Sequence, residues 1–288
     1  MKINVLNVLA RVIRVTSLIV IAALGTIVLM RFAPGYFTDI RELDGQYAEG
    51  AREALRMQEG QEHSTAALTQ HLLRGWLHGD AGTSRQFGIP VTELIGGRLK
   101  ITARLLACGV GCGWLIAVSS ALLLSTRRTW GGDALIAGPV AILLAVPIGA
   151  MATACFSANA GGPAVVLTTV IAVRDFKLVY KLFCQARLSA SIFHARAQGI
   201  SQYRIVWVYL LPTLISDLFA LATLSFVVAM SAMVPVEVVF DVPGVGQLAW
   251  SAAMNRDLPV LLAVTVLIAL CVGTTSMLAN PRQRMDIA

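Results

Sequence analysis

The chain has 288 residues, 57% of them hydrophobic and only 14% charged, with 23 Lys+Arg against 16 Asp+Glu. Soluble domains run near ~45–50% apolar and ~25% charged, so an ordinary soluble globular protein is excluded. In so apolar a chain the net charge of +7 reads as loop charge that sets membrane topology, not as a nucleic-acid footprint. The length accommodates about six spans with short links and leaves no room for a separate catalytic domain of roughly 100–150 residues.

A membrane-spanning helix needs about 20 mostly apolar residues. The first predicted span is Val12 to Met30, flanked by Arg11, Arg14 and Arg31. It lacks a small-residue cleavage site and is long for a signal peptide, so it is expected to be retained. Residues 1–31 then form this span with its amino-terminal lead, and residues 32–98 form a polar, acid-rich external loop. Residues 99–280 hold five further spans: Ile101 to Leu124, Asp133 to Phe156, Pro163 to about Phe183, Thr213 to Val234 and Leu258 to Ala279. The third contains Pro139 and Pro147, tolerable where neighbouring helices re-satisfy freed carbonyls. Residues 281–288 are a short tail.

Basic residues set the orientation. Lys2, Arg11 and Arg14 mark the amino terminus, Arg127 and Arg128 link spans two and three, and Arg282 and Arg284 lie in the tail. Lys177, Lys181, Arg187, Arg196 and Arg204 mark the link from span four to span five. With six spans these regions share one side, the cytoplasm, and both termini are inside. The fold class is an all-α membrane protein.

Intramembrane chemistry is hard to find in this sequence. It has no H-E-x-x-H, no G-x-S-x-G and no phosphate-binding G-x-x-x-x-G-K-[ST] loop. His63, His71, His78 and His194 lie outside the spans and read as solvated. Cys108, Cys112, Cys155, Cys184 and Cys271 sit in or beside apolar runs at no paired metal spacing, and read as small packing residues. No metal site is expected. Ionisable residues inside a membrane are functional candidates, and span four carries Arg174 and Asp175. Adjacent on a helix, these two point about 100° apart and are poorly placed to pair. Arg174 would lie about 22 Å along the span, towards the cytoplasmic edge of a ~30 Å core, where it can snorkel. Asp217 is expected near the same boundary.

The link from Arg187 to Pro212 carries the most information. Ala195, Ala197 and Gln198 favour helix, Gly199 can end it and Ser201 can cap another. Two short helices joined at a glycine are predicted, shaped either as a partner-docking element or as a plain amphipathic connector.

The spacing of Ala195-Arg196-Ala197-Gln198-Gly199 and Tyr209-Leu210-Leu211-Pro212 resembles the cytoplasmic loop motif of ABC importer permeases, in the dipeptide, oligopeptide and nickel branch. Other segments resemble that branch in the same order: Arg31 to Gly35, Trp76 to Ser84, Pro90 to Leu99, Glu237 to Phe240, Pro243 to Gly246, Arg256 to Pro259 and Pro281 to Arg284. Phe193 takes the motif's acidic position, and Ser191 stands where the branch usually has tyrosine.

The resemblance implies a type I ABC importer permease fold in a bacterial or archaeal inner membrane. It implies an ATPase-docking loop, residues 187–212, made of His194, Ala195, Arg196, Ala197, Gln198, Gly199, Ile200, Ser201, Tyr203 and Pro212. No cofactor is expected on this chain, since ATP and magnesium would be bound by partner subunits. The implied partners are a second permease, two ATP-binding subunits, a periplasmic or lipid-anchored solute-binding protein and the lipid bilayer, with no nucleic acid. Glu237, Phe240, Asp241, Pro243, Gly244, Gly246, Arg256 and Asp257 would lie on the solute and binding-protein side. Two alternatives stay open. A degenerate permease kept as a scaffold would account for the span-four charges and Ser191. A secondary transporter acting alone would show ion sites and inverted repeats, and neither is apparent.

Overall fold

The computed structural model describes residues 5–32, 75, 81–126 and 132–278. The sequence segments Arg31 to Gly35 (from Ala33 on), Trp76 to Asp80, Arg127 to Gly131 and the tail from Ala279 lie outside them, as do His63, His71 and His78. The described chain folds as α1 (Val5–Phe32), α2 (Val91–Thr126), α3 (Gly132–Ala145), α4 (Ile148–Ser157), α5 (Pro163–Arg187) and α6 (Ala190–Ala197). It continues as α7 (Gln202–Val239), α8 (Val245–Met254) and α9 (Leu258–Leu278). The chain divides into two compact units, Met1–Leu99 with Leu248–Leu270, and Lys100–Gln247 with Cys271–Ala288.

In the first unit α1 meets the start of α9. Ile27 and Met30 are buried with Leu258 and Leu262, and Ala23 and Leu261 pack around them. Much of α1 stays uncovered, including Ile13, Ile21 and Leu29, the pattern of a helix facing an apolar solvent rather than water. Before α2 the chain makes a tight turn. The Ser84 amide donates to the Ile89 carbonyl and the Val91 amide to that of Gly82, with Gly82 at φ 81°, a conformation that glycine adopts without a Cβ clash.

In the second unit α2 and α5 approach at two glycines one turn apart. A Cβ on Gly109 would lie 2.5 Å from Leu167 Cδ2, and one on Gly113 would lie 2.9 Å from Ile171 Cβ. Only a residue without a side chain lets the helices come this close, the small-xxx-small logic of membrane helix packing. α7 packs along both α5 and α4. The larger core of this unit gathers Ala121 of α2, Val179 and Phe183 of α5, Ile192 and Ala195 of α6, and Ile205, Val206, Leu210 and Leu214 of α7.

Several boundaries differ from expectation. The third predicted span is broken: α3 and α4 meet at 91°, with Pro147 at the N-cap of α4, because proline's missing N–H and fixed φ favour a helix start. The second span begins as helix at Val91, ten residues earlier than its apolar run. Among the described residues four helices are long and apolar enough to cross a membrane, or five if the bent pair is one span. Helix α5 fills the predicted fourth span, but Arg174, Asp175, Lys177 and Lys181 keep it out of that count. The fifth span does not start at Thr213; it is continuous with the second link helix from Gln202. Residues Ile205–Leu210 take a π-helical turn just before Pro212. The wider turn makes room for a proline that lacks an N–H and would otherwise crowd the carbonyl four residues back.

Candidate functional site

The 187–212 link closes on Gly199. Its amide donates to the Arg196 carbonyl and the Ile200 amide to that of Ala195, with Gly199 at φ 71°. This is a Schellman closure, in which glycine occupies the left-handed position after the helix. Its usual apolar contact is present, since Ala195 is buried in the core cluster and Ile200 packs against it. Ser201 sits at the next N-cap, but its side chain makes no capping bond.

Helix α6 faces two ways. Ile192 and Ala195 are buried, while Phe193, His194, Arg196 and Ala197 are exposed. Phe193 is 71% and Tyr203 74% exposed, and the Tyr203 ring lies 6.0 Å from that of Trp207. Gln198, Gly199 and Ser201 are exposed as well, and so is Pro212. Of the residues expected to dock a partner, Ala195 is buried and Ile200 half-buried, while the others are exposed.

At the far end of α7 two segments distant in sequence are joined by a carboxylate. Glu237 is fully buried. Its Oε1 accepts from Thr102 Oγ1 at 2.7 Å, and its Oε2 accepts from the amides of Gly246 at 2.7 Å and Gln247 at 3.1 Å. Thr102 Oγ1 in turn accepts from the Val245 amide at 2.8 Å. These three amides open α8, where a helix leaves N–H groups unpaired and carries positive potential. A Cβ on Gly244 would run into the Glu237 carboxylate, so this glycine is required by close approach. Asp241, at φ 51°, closes α7 as Gly199 closes α6: its amide donates to Val238 and that of Val242 to Glu237. Gln247 Nε2 donates to Asp241 Oδ1, and the Phe240 ring packs edge-on against Phe156 at 5.5 Å.

The first unit holds a second such clamp. Asp257 is fully buried; its Oδ2 accepts from Ser84 Oγ at 2.5 Å and from the Gln86 amide at 3.2 Å. Ser251 Oγ donates to Gln86 Oε1 at 3.1 Å. Asp257 also precedes α9, where its carbonyl accepts from the Leu261 amide. Arg256, at φ 55°, closes α8.

Of the eight residues expected on the solute and binding-protein side, Glu237 and Asp257 are buried, each held by a hydroxyl and by backbone amide, and Gly244 and Gly246 are buried as well. Phe240 is packed on an aromatic ring, and Asp241 and Pro243 remain exposed. Sequence reading missed α8 altogether, along with Thr102, Ser84 as a ligand of Asp257, and the Gly109/Gly113 contact. The last was visible as G-x-x-x-G; the others depend on pairs more than a hundred residues apart.

Two charged features of the second unit complete the description. Arg174 Nη1 lies 3.6 Å from Asp175 Oδ1, against the expectation that these neighbours would not pair; the long arginine side chain folds back across its own helix. Asp175 is buried, and Arg174 only partly exposed. At the end of α5, Arg187 Nε and Nη2 are shielded without a hydrogen-bond partner. Burial, and then the positive charge of Arg196, press its guanidinium below its ordinary pKa. Among the described residues no group of three or more His, Cys, Asp or Glu is placed to hold a metal ion, and the five cysteines are free thiols.

The sequence profile of the family described as binding-protein-dependent transport system inner membrane component matches residues 109–285. The chain is 24% identical to a Brucella abortus (strain 2308) protein named as a peptide transport system permease, over 97% of this chain and 99% of that one. It is 24% identical to the oligopeptide transport system permease protein OppB of Salmonella typhimurium, over 83% of this chain and 84% of the relative. The Escherichia coli K12 OppB is 23% identical over similar shares.

Proposed function

We propose, because the chain belongs to the family of binding-protein-dependent transport system inner membrane components, that it is one membrane half of an ATP-driven peptide importer. Peptide is the solute named for the relatives that align along most of its length. Six spans place both termini and the 187–212 link in the cytoplasm of a bacterial or archaeal cell. A second permease completes the translocation path, two ATP-binding subunits dock on the link, and a binding protein delivers peptide to the opposite face. ATP and magnesium are held on those subunits, not on this chain.

The observation that carries this reading is the link itself. Its helix α6 exposes Phe193, His194 and Arg196 while burying Ile192 and Ala195 among α5 and α7. A loop built this way can take a push from a partner and hand it to the membrane helices. ATP-driven closure then has a bistable element to act on.

Gly199→Trp tests it. A bulky side chain at a left-handed position strains the turn, and the Cβ itself meets only open space, so the strain falls on the docking surface. ATP-binding subunits co-expressed with the chain should co-purify with the native protein and be lost with this variant. Peptide flux through the purified chain alone in proteoliposomes would overturn the proposal.

A further inference from the structure

The large apolar side chains exposed on this chain lie mostly on the long spanning helices, where lipid can cover them. Two at the head of α6 lie outside those helices. Leu188 closes α5 and Ser189 is the N-cap of α6. The Phe193 amide donates to the Ser189 carbonyl at 3.1 Å, the first bond of the new helix. Leu188 is thus at N′ and Phe193 at N4, the two positions that a helix start brings side by side as an apolar staple. Together they make one patch, yet Leu188 is 77% and Phe193 71% exposed. Their neighbours Ser191, His194, Arg196 and Gln198 are polar and exposed too. An exposed apolar patch rimmed by polar groups marks a contact site.

We infer that Leu188 and Phe193 are the apolar anchor of α6, and that they enter an apolar pocket of the ATP-binding subunit whose rim is acidic. The inference rests on the docking role proposed above and adds the chemistry of the partner's cleft. A bilayer is the poorer occupant. Helices that lie on a membrane carry a continuous apolar face, whereas Ile192 and Ala195 of α6 are already turned into the core, which leaves only these two large apolar side chains outside. A protein pocket takes a small apolar anchor and surrounds it with polar contacts, and Phe and Arg are enriched at such interfaces. Charge selects the rim. Between Asp175 and Asp217 the sequence holds Lys177, Lys181, Arg187, Arg196 and Arg204 and no acid. Arg196 is exposed three residues after Phe193, a neighbour on the same side of the helix. A rim of opposite sign steers the partner and fixes its register.

The test uses the full chain in phosphatidylcholine nanodiscs with co-expressed ATP-binding subunits, whose affinity is measured at ~50 and ~300 mM salt. Phe193→Ala and Leu188→Ala should each weaken binding at least ~10-fold at both salt concentrations. Phe193→Leu should keep most of the affinity, and Gln198→Ala should change it little. Arg196→Gln should flatten the salt dependence, which Phe193→Ala leaves intact. The melting temperature of the chain alone should hold in all of these, because the altered side chains are exposed. If an alanine variant lowers it, a crosslink decides: p-benzoylphenylalanine in place of Phe193 should couple on irradiation to the ATP-binding subunit. Crosslinks to lipid alone, or to other residues of this chain, would overturn the inference. So would unchanged affinity of Phe193→Ala and Leu188→Ala while Gly199→Trp still abolishes capture, and the docking role would then stand. A salt slope that Arg196→Gln leaves unchanged would overturn the acidic rim. Capture that survives Gly199→Trp would overturn the docking role itself.

Discussion

Glu237→Gln offers a sharp test of the clamp at the start of α8. The carboxylate accepts three hydrogen bonds, two from backbone amides on Oε2 and one from Thr102 on Oε1. Glutamine is nearly isosteric and can keep its carbonyl oxygen on the two amides. Those bonds then change from charge-assisted, about 1.5–3 kcal/mol each, to neutral, about 0.5–1.5, a loss of roughly 2 kcal/mol. The new NH₂ faces Thr102 Oγ1, which already accepts from Val245, so the threonine hydrogen must find another acceptor. The total is about 2–3 kcal/mol of local closing energy, which at 1.4 kcal/mol per tenfold is roughly 30- to 150-fold faster exchange of the Gly246 and Gln247 amides. Hydrogen exchange read by mass spectrometry over 240–250, in detergent or nanodiscs, measures this opening directly. Glu237→Ala, which strands all three donors, should exceed it. Exchange in the glutamine variant equal to the native rate would refute the view that this carboxylate holds α8. So would strictly additive effects of Glu237→Gln and Thr102→Val, since residues in one network must couple.

Other outcomes follow from the same geometry. Asp257→Asn should cost less than Glu237→Gln, under about 1.5 kcal/mol, because asparagine can keep its oxygen on Ser84 and Gln86 and turn its NH₂ towards the site of Oδ1, which has no partner; thermal melts of the two variants in one detergent rank them. Gly113→Leu should drive α2 from α5 at Ile171 and lower the melting temperature by several degrees, while Gly111→Leu, with no atom within 4 Å of its Cβ, should not. Asp175→Asn should be close to neutral in stability. The carboxylate is fully enclosed, with Arg174 at 3.6 Å and the Ser225 and Trp114 side chains beside it, both of which an asparagine oxygen can still face, so removing its charge relieves desolvation about as much as it loses in attraction.

How far the sequence could be read depended on the range of the interaction. Helices set by unbroken apolar runs were legible: α9 almost to the residue, and α1 over its apolar stretch, although the helix itself begins seven residues earlier at Val5. The turn at Gly199 was legible too, because glycine after a helix-favouring stretch is a local signal. Helix α8 was hidden: Val245 to Met254 is short, follows a Pro-Gly turn, and owes its first turn to acceptors supplied by Glu237 and Thr102. Nothing near Glu237 in sequence announces Thr102, so its burial as a cap of α8 could not be read from the sequence. Asp257 and Ser84 repeat the case across 173 residues. The π turn at Ile205–Leu210 escaped for another reason, since Pro212 was taken to bound a span that in the structure passes through it.

Helix α7 links these local facts. Its 38 residues span about 57 Å at 1.5 Å per residue. Near one end, Ile205, Val206 and Leu210 lie in the same buried cluster as Ile192 and Ala195 of α6; at the other, Glu237 holds the first turn of α8. Between them the intrahelical ladder has two weak places, the π turn and Pro235, which offers no N–H to the Ser231 carbonyl. At the first, Ile205, Val206 and Leu210 are buried in the cluster that α5, α6 and α7 share, while Trp207 and Val208 are exposed. The second lies two residues before the clamp. A proline placed just ahead of the buried anchor favours a bend next to Glu237, and the strength of that carboxylate clamp sets how firmly α8 is held to α7.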